Sequence, residues 1–229
     1  MWIELTRADG SALRAYAALP ESIAADTPSV VMMMHVWGVD ASMRETAHRF
    51  AAEGFAIVVP DLYARFEGVP DGDETTDHAL IRPFAKQLTT ESIDLDTRPA
   101  VMWLRERYAN SKTAVAGFCM GGTMASYRIA GYTDLYAAAA VWYGLSDDVD
   151  PAKAEIPIVA SYGQDDTGIP VEKVEAFRDK LPVDKDFKIY PHAGHAFFDQ
   201  TRKNYEPNAA EDSWKRTTTF LNKHIANAR

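Results

Sequence analysis

Short apolar runs alternate with longer amphipathic stretches from Ser29 to the end of the chain, and this alternation restricts the fold more than any other feature. The runs are Ser29–Met34, Phe55–Val59, Thr113–Ala116, Ala137–Trp142, Ile156–Ser161 and Phe187–Ile189, rich in Val, Ile, Met and Ala. Segments this short and apolar on both faces suit central strands of a parallel sheet covered by helices. The stretches between them read as helices. Ser42–Glu53 stops at Gly54, Thr89–Tyr108 is longer, Gly122–Gly131 is short, and Val171–Leu181 lies between Pro170 and Pro182. Pro207–Ile225 sets Ala210, Trp214, Leu221 and Ile225 at helical spacing, which gives it one face for the core. Ahead of the alternation, Trp2–Arg7 and Ala12–Ala18 flank the turn dipeptide Asp9-Gly10, the pattern of an antiparallel hairpin. The expected class is therefore α/β: a mostly parallel central sheet with helices on both faces and an antiparallel N-terminal hairpin, as one domain over residues 1–229. Ligands of such sheets bind beyond the carboxyl ends of the strands, so chemistry is sought just after each run.

Composition narrows the partners. The chain carries a formal net charge of −9 with no Lys/Arg cluster, which argues against nucleic acid or an anionic membrane surface. The longest apolar runs, such as Val30–Met34 and Ala137–Tyr143, are too short to span a bilayer. A single cysteine forms no internal disulfide and fits a reducing compartment; with no signal-like start at Met1–Arg7, a cytoplasmic location is expected.

That one cysteine stands in the most informative motif. After Thr113–Ala116 comes Gly117-Phe118-Cys119-Met120-Gly121-Gly122, and then a helix candidate. This is the Gly-x-Ser-x-Gly nucleophile elbow with Cys in place of Ser. The strand-to-helix turn is so sharp that side chains flanking the nucleophile would collide with neighbours. The helix N-terminus behind it favours negative charge and so the thiolate. A nucleophile needs a base, and the base an orienting acid, which follow here in the order nucleophile, acid, base. The acid lies in Tyr162-Gly163-Gln164-Asp165-Asp166-Thr167-Gly168-Ile169-Pro170, where the spacing from Gly163 to Pro170 selects Asp166 over Asp165. The base lies in Tyr190-Pro191-His192-Ala193-Gly194-His195, where the small residues before His195 permit a tight loop and leave His192 as a surface residue. An oxyanion needs N–H donors. The backbone N–H groups of Met120 and of Val36, in His35-Val36-Trp37-Gly38, are the expected pair.

These segments resemble the dienelactone hydrolase family (carboxymethylenebutenolidases). The resemblance runs from Val30 to the last helix. It includes Trp37-Gly38-Val39-Asp40, Met43-Arg44-Glu45-Thr46, Val59-Pro60-Asp61-Leu62-Tyr63-Ala64-Arg65, Gly117–Gly122, Val141-Trp142-Tyr143-Gly144 and Ala193-Gly194-His195-Ala196-Phe197. It implies an α/β-hydrolase that opens an unsaturated lactone or simple ester through a thioester intermediate, with Cys119 as nucleophile, His195 as base and Asp166 as acid. His35, Trp37, Tyr63, Arg65 and Phe197 are the candidate substrate-binding side chains. Neither cofactor nor metal is implied, and His35, Cys119 and His195 lack the local spacing of zinc ligands. The expected partner is a small lactone or ester, and the expected state a monomer or small homo-oligomer. Two positions depart from the family. His35 stands where a Glu is usual, and Asp199 where an arginine holds the substrate carboxylate. A thioesterase would use the same groups; the other alternative is a non-catalytic ligand-binding protein on the same scaffold, against which the intact nucleophile, acid and base argue.

Overall fold

A computed structural model describes residues 1–73, 77–108 and 112–226, and divides the chain into two compact units, Met1–Ser111 and Lys112–Arg229. In the N-terminal unit the strands are β1 (Trp2–Thr6), β2 (Ala12–Ala18), β3 (Ser29–Met33) and β4 (Ala56–Pro60), in the order β1-β2-β4-β3. The expected hairpin forms: β1 pairs antiparallel with β2, and Gly10, at a φ of 83°, makes the turn between them. β2 runs antiparallel to β4, whereas β3 and β4 are parallel. Every residue of β3 and β4 is buried, as runs apolar on both faces require. Each fully buried Val or Ile there contributes roughly 1.5–3 kcal/mol. The helices are α1 (Ala41–Ala52), α2 (His78–Ala85) and α3 (Thr90–Arg107). Asp40 caps α1 by accepting from Met43 N–H, and Gly54 closes it at a φ of 92°. Helix α2 goes beyond what the sequence suggests, because Pro83 interrupts its pattern; Asp77 nonetheless caps it. The polar stretch Phe66–His78 ahead of it reads from sequence as a surface loop, and its residues 74–76 lie outside the described ones.

The C-terminal unit is a fully parallel arrangement of β5 (Thr113–Phe118), β6 (Ala138–Trp142), β7 (Ile158–Gly163) and β8 (Lys185–Tyr190), in that order. It carries α4 (Met120–Tyr127), α5 (Val171–Lys180) and α6 (Pro207–Ile225). β5, β6 and β7 are buried throughout, while β8 is exposed or half-buried except at Tyr190, as suits an edge strand. Helix α6 docks by the face read from its spacing. Trp214 packs against Phe198 with ring centroids 5.9 Å apart, and Ser213 accepts a hydrogen bond from the Trp142 indole at 3.1 Å. Phe118 stacks on Trp142 at 4.3 Å, so the end of β5 is held against the end of β6.

Candidate active site

The strand β5 runs two residues further than its apolar run and delivers Cys119 at its carboxyl end. Cys119 adopts φ 55° and ψ −118°, a left-handed conformation that a side-chain-bearing residue rarely takes, and α4 begins at the next residue. The turn is that tight because Gly117 lies on the far side of it: a Cβ there would run into the backbone carbonyl of Gly121. Two backbone bonds fix the elbow. Cys119 N–H donates to Trp142 O at 3.0 Å, and Cys119 O accepts from Thr123 N–H at 3.0 Å. Met120 opens helix α4 directly after the cysteine.

His195 joins Cys119 to Asp166. The His195 Nε2 atom lies 3.1 Å from Cys119 Sγ, and Nδ1 lies 2.7 Å from Asp166 Oδ2. With Nδ1 donating to the carboxylate, Nε2 is the nitrogen that faces sulfur. Asp166 has 1% side-chain exposure and is oriented through its other oxygen, which accepts from Gly168 N–H at 2.8 Å. Asp165 is exposed, as is His192, whose φ of 61° puts it in the turn before the histidine loop. Strand β7 and that loop touch closely: a Cβ on Gly163 would collide with the carbonyl of Ala193, and Asp165 N–H donates to Ala193 O at 2.9 Å. From the other side, Asn204 donates through Nδ2 to His195 O at 3.0 Å. Burial alone favours a neutral His195 ring. The hydrogen bonds to Asp166 and Cys119, and the charge of those partners, outweigh it and raise its pKa from 6.5 to about 10. The arrangement therefore favours an imidazolium beside sulfur.

Two residues to which the sequence reading gives no site role belong to this site. One is Asn204, whose contact with a backbone carbonyl leaves no sequence signature. The other is Tyr143, directly after β6, with φ 37° and its ring centroid 5.2 Å from that of His195. An aromatic ending an apolar run reads as core, and only the backbone angle marks it out.

The remaining expected residues have local work of their own. His35 accepts Trp37 N–H at Nδ1 over 3.1 Å and holds Asp40 Oδ1 at 3.0 Å through Nε2, so both ring nitrogens are engaged within its own loop. The Tyr63 hydroxyl donates to Val36 O at 2.8 Å, bracing the loop that carries the Val36 amide. Trp37 is half-buried, 5.8 Å from the His78 ring. Arg65, expected as a substrate contact, donates instead to Ser92 O at 2.8 Å and to the buried Asp96 at 2.6 Å. Phe197 has no exposed surface and backs Tyr143 and Tyr190, with centroids 5.4 and 5.2 Å away. Arg65 is thus held by a buried acid, and Phe197 by the core.

Comparison with known proteins adds to the geometry. The family model of the dienelactone hydrolase family matches residues 13–225. The chain belongs to the dienelactone hydrolase family. It is an enzyme of the carboxylic ester hydrolase class. A protein of Yersinia pestis provisionally named carboxymethylenebutenolidase is 28% identical to this family member, over 96% of this chain and 86% of the relative. A Klebsiella pneumoniae structure provisionally described as a dienelactone hydrolase superposes with a TM-score of 0.84 at 25% identity, covering 98% of this chain and 99% of the other. A dienelactone hydrolase-like promiscuous phosphotriesterase from metagenomic libraries shares the fold at a TM-score of 0.79 and 20% identity, with 98% of each chain covered. The α/β-hydrolase fold thus holds across the family member's length. No helix among the described residues is long and apolar enough to cross a membrane.

Proposed function

We propose that this dienelactone hydrolase family member cleaves a lactone or small carboxylic ester with Cys119 as nucleophile, His195 as general base and acid, and Asp166 as the group that orients His195. The observation that carries the reading is the continuous line from Cys119 Sγ to His195 Nε2 at 3.1 Å and from Nδ1 to Asp166 at 2.7 Å, built on a left-handed elbow. The thiolate adds to the substrate carbonyl, and the carbonyl electrons move onto oxygen, where the Met120 N–H at the head of α4 stabilises the charge. Collapse of that adduct breaks the bond to the alkoxy oxygen, which takes its proton from His195 Nε2. A thioester remains. Water then gives a proton to Nε2 as it attacks the thioester, and the thiolate leaves with the acid released. In a lactone the alkoxy group stays attached, so the product is a hydroxy acid. Val36 N–H, expected as a second oxyanion donor, belongs to the N-terminal unit, where Tyr63 braces its loop.

The test is Cys119→Ala. Hydrolysis of p-nitrophenyl acetate and of a lactone panel should drop to the uncatalysed rate while the circular dichroism spectrum is unchanged. Retained turnover would remove Cys119 from the mechanism. Saturable ligand binding without turnover in the parent chain would favour the ligand-binding alternative.

A further inference from the structure

Tyr143 is held in an unusual way. It is 2% exposed, and its backbone sits at φ 37°, a conformation disfavoured for an aromatic residue. Such outliers persist where the surroundings impose them, often at functional sites. The imposing contacts are visible. Tyr143 N–H donates to Ser161 O at 2.9 Å, and the preceding carbonyl, Trp142 O, accepts from Cys119 N–H at 3.0 Å. The backbone that positions Tyr143 is therefore the backbone that positions the sulfur. Its ring faces His195 at 5.2 Å, with Phe197 behind it at 5.4 Å.

Its hydroxyl is the anomaly. Three other deeply placed tyrosines donate to a protein oxygen: Tyr162 to Gly144 O at 2.9 Å, Tyr63 to Val36 O at 2.8 Å, Tyr190 to Asp212 at 2.7 Å. Among the described residues the Tyr143 hydroxyl has no hydrogen-bond partner. The ring that carries it packs against the imidazole, and the hydroxyl is within the electrostatic reach of Cys119, Asp199 and Arg202.

We propose that Tyr143 is a further catalytic residue, whose hydroxyl donates a hydrogen bond to an ester or lactone oxygen of the bound substrate; this rests on the Cys119 reading. The group is suited to donate without transferring its proton. Burial above all, then the negative charges of Asp199 and Cys119, raise its pKa well above the usual phenol value against the opposing pull of Arg202, so it remains neutral throughout the working range. A neutral donor flanked by the Asp199 carboxylate suits an uncharged acceptor oxygen better than an anionic group on the substrate.

The test is Tyr143→Phe, which keeps the ring against His195 and Phe197 and removes only the hydroxyl. The rate of Cys119 acetylation by p-nitrophenyl acetate, followed by mass spectrometry, should fall roughly 10- to 100-fold. Alkylation of Cys119 by iodoacetamide, which has no ester oxygen, should stay within about twofold of the parent, since the thiolate is untouched. Equal acetylation rates in parent and Y143F would overturn the role of Tyr143 and leave Cys119 standing. No adduct in the parent would overturn both. Loss of acetylation and alkylation together would show that the hydroxyl acts on the fold or the thiolate instead of the substrate. If Y143F does not fold, 3,5-difluorotyrosine at position 143 in the full chain keeps the ring and acidifies the phenol. The alkaline limb of the acetylation rate should then move to lower pH, and an unmoved limb would contradict the proposal.

Discussion

At the residue scale, the site's behaviour turns on one proton. His195 has a pKa of about 10 against 6.5 for a free ring, because Asp166 and Cys119 together outweigh the desolvation of the imidazole. Since the folded value lies above the unfolded one, the stabilisation from this proton is whole below about pH 6.5 and is lost as pH rises through about 10. Asp166→Asn should bring the His195 midpoint down toward 6.5, read from its ring proton by NMR titration, because it removes the nearest acceptor. A midpoint unchanged by D166N would mean that Asp166 does not set the charge of His195. Cys119, His195 and Asp166 were legible in the sequence because each depends on a local pattern: glycines around the nucleophile, small residues before the histidine, and a fixed spacing to proline. Tyr143 was illegible because its distinguishing property is a positive φ and an unmatched hydroxyl, which only coordinates reveal.

At the scale of elements, the strands and five of the six helices were readable from apolar periodicity and from Gly and Pro stops, though their ends moved by a few residues. Strand β5 extends to Phe118 because the elbow keeps the backbone in register with Trp142 of β6. Helix α4 starts at Met120, not Gly122, because the turn at Cys119 launches it directly. Helix α2 was missed because Pro83 lies inside it, and a single proline weakens the pattern more than the Asp77 cap strengthens it. Close approaches between elements were the least legible feature. Gly163 shows why: its need for a bare backbone comes from Ala193, thirty residues on in another element. Gly163→Ala should separate β7 from the histidine loop, and so Asp166 from His195. Such a misplacement costs roughly 100-fold in kcat with a smaller change in KM. A G163A enzyme with parental kcat would show that the loop can give way without disturbing the pair.

At the scale of the whole molecule, stability and chemistry draw on different residues. Within the N-terminal unit, the fully buried Asp96 of α3 receives Arg7 at 2.5 Å and Arg65 at 2.6 Å, joining the end of the hairpin strand β1 and the loop after β4 to one helix. Asp96→Asn leaves two guanidinium groups without their acid and should cost about 3–5 kcal/mol in denaturant unfolding, with the Cys119 alkylation rate unchanged in the folded protein. A loss below about 1 kcal/mol would mean that solvent replaces the acid. The fold class was legible because alternation of apolar runs and amphipathic stretches is itself a whole-chain property. The substrate was not, since no local pattern in the sequence marks which side chains would hold it; Arg65, for one, is bound to Asp96. The central claim is best tested on the intact chain: mix it with p-nitrophenyl acetate, quench during turnover, and weigh it. One added acetyl group is expected, mapped by peptide mass to Cys119 and absent from Cys119→Ala. Turnover with the acetyl group on any other residue, or with no adduct on a titratable Cys119, would contradict it.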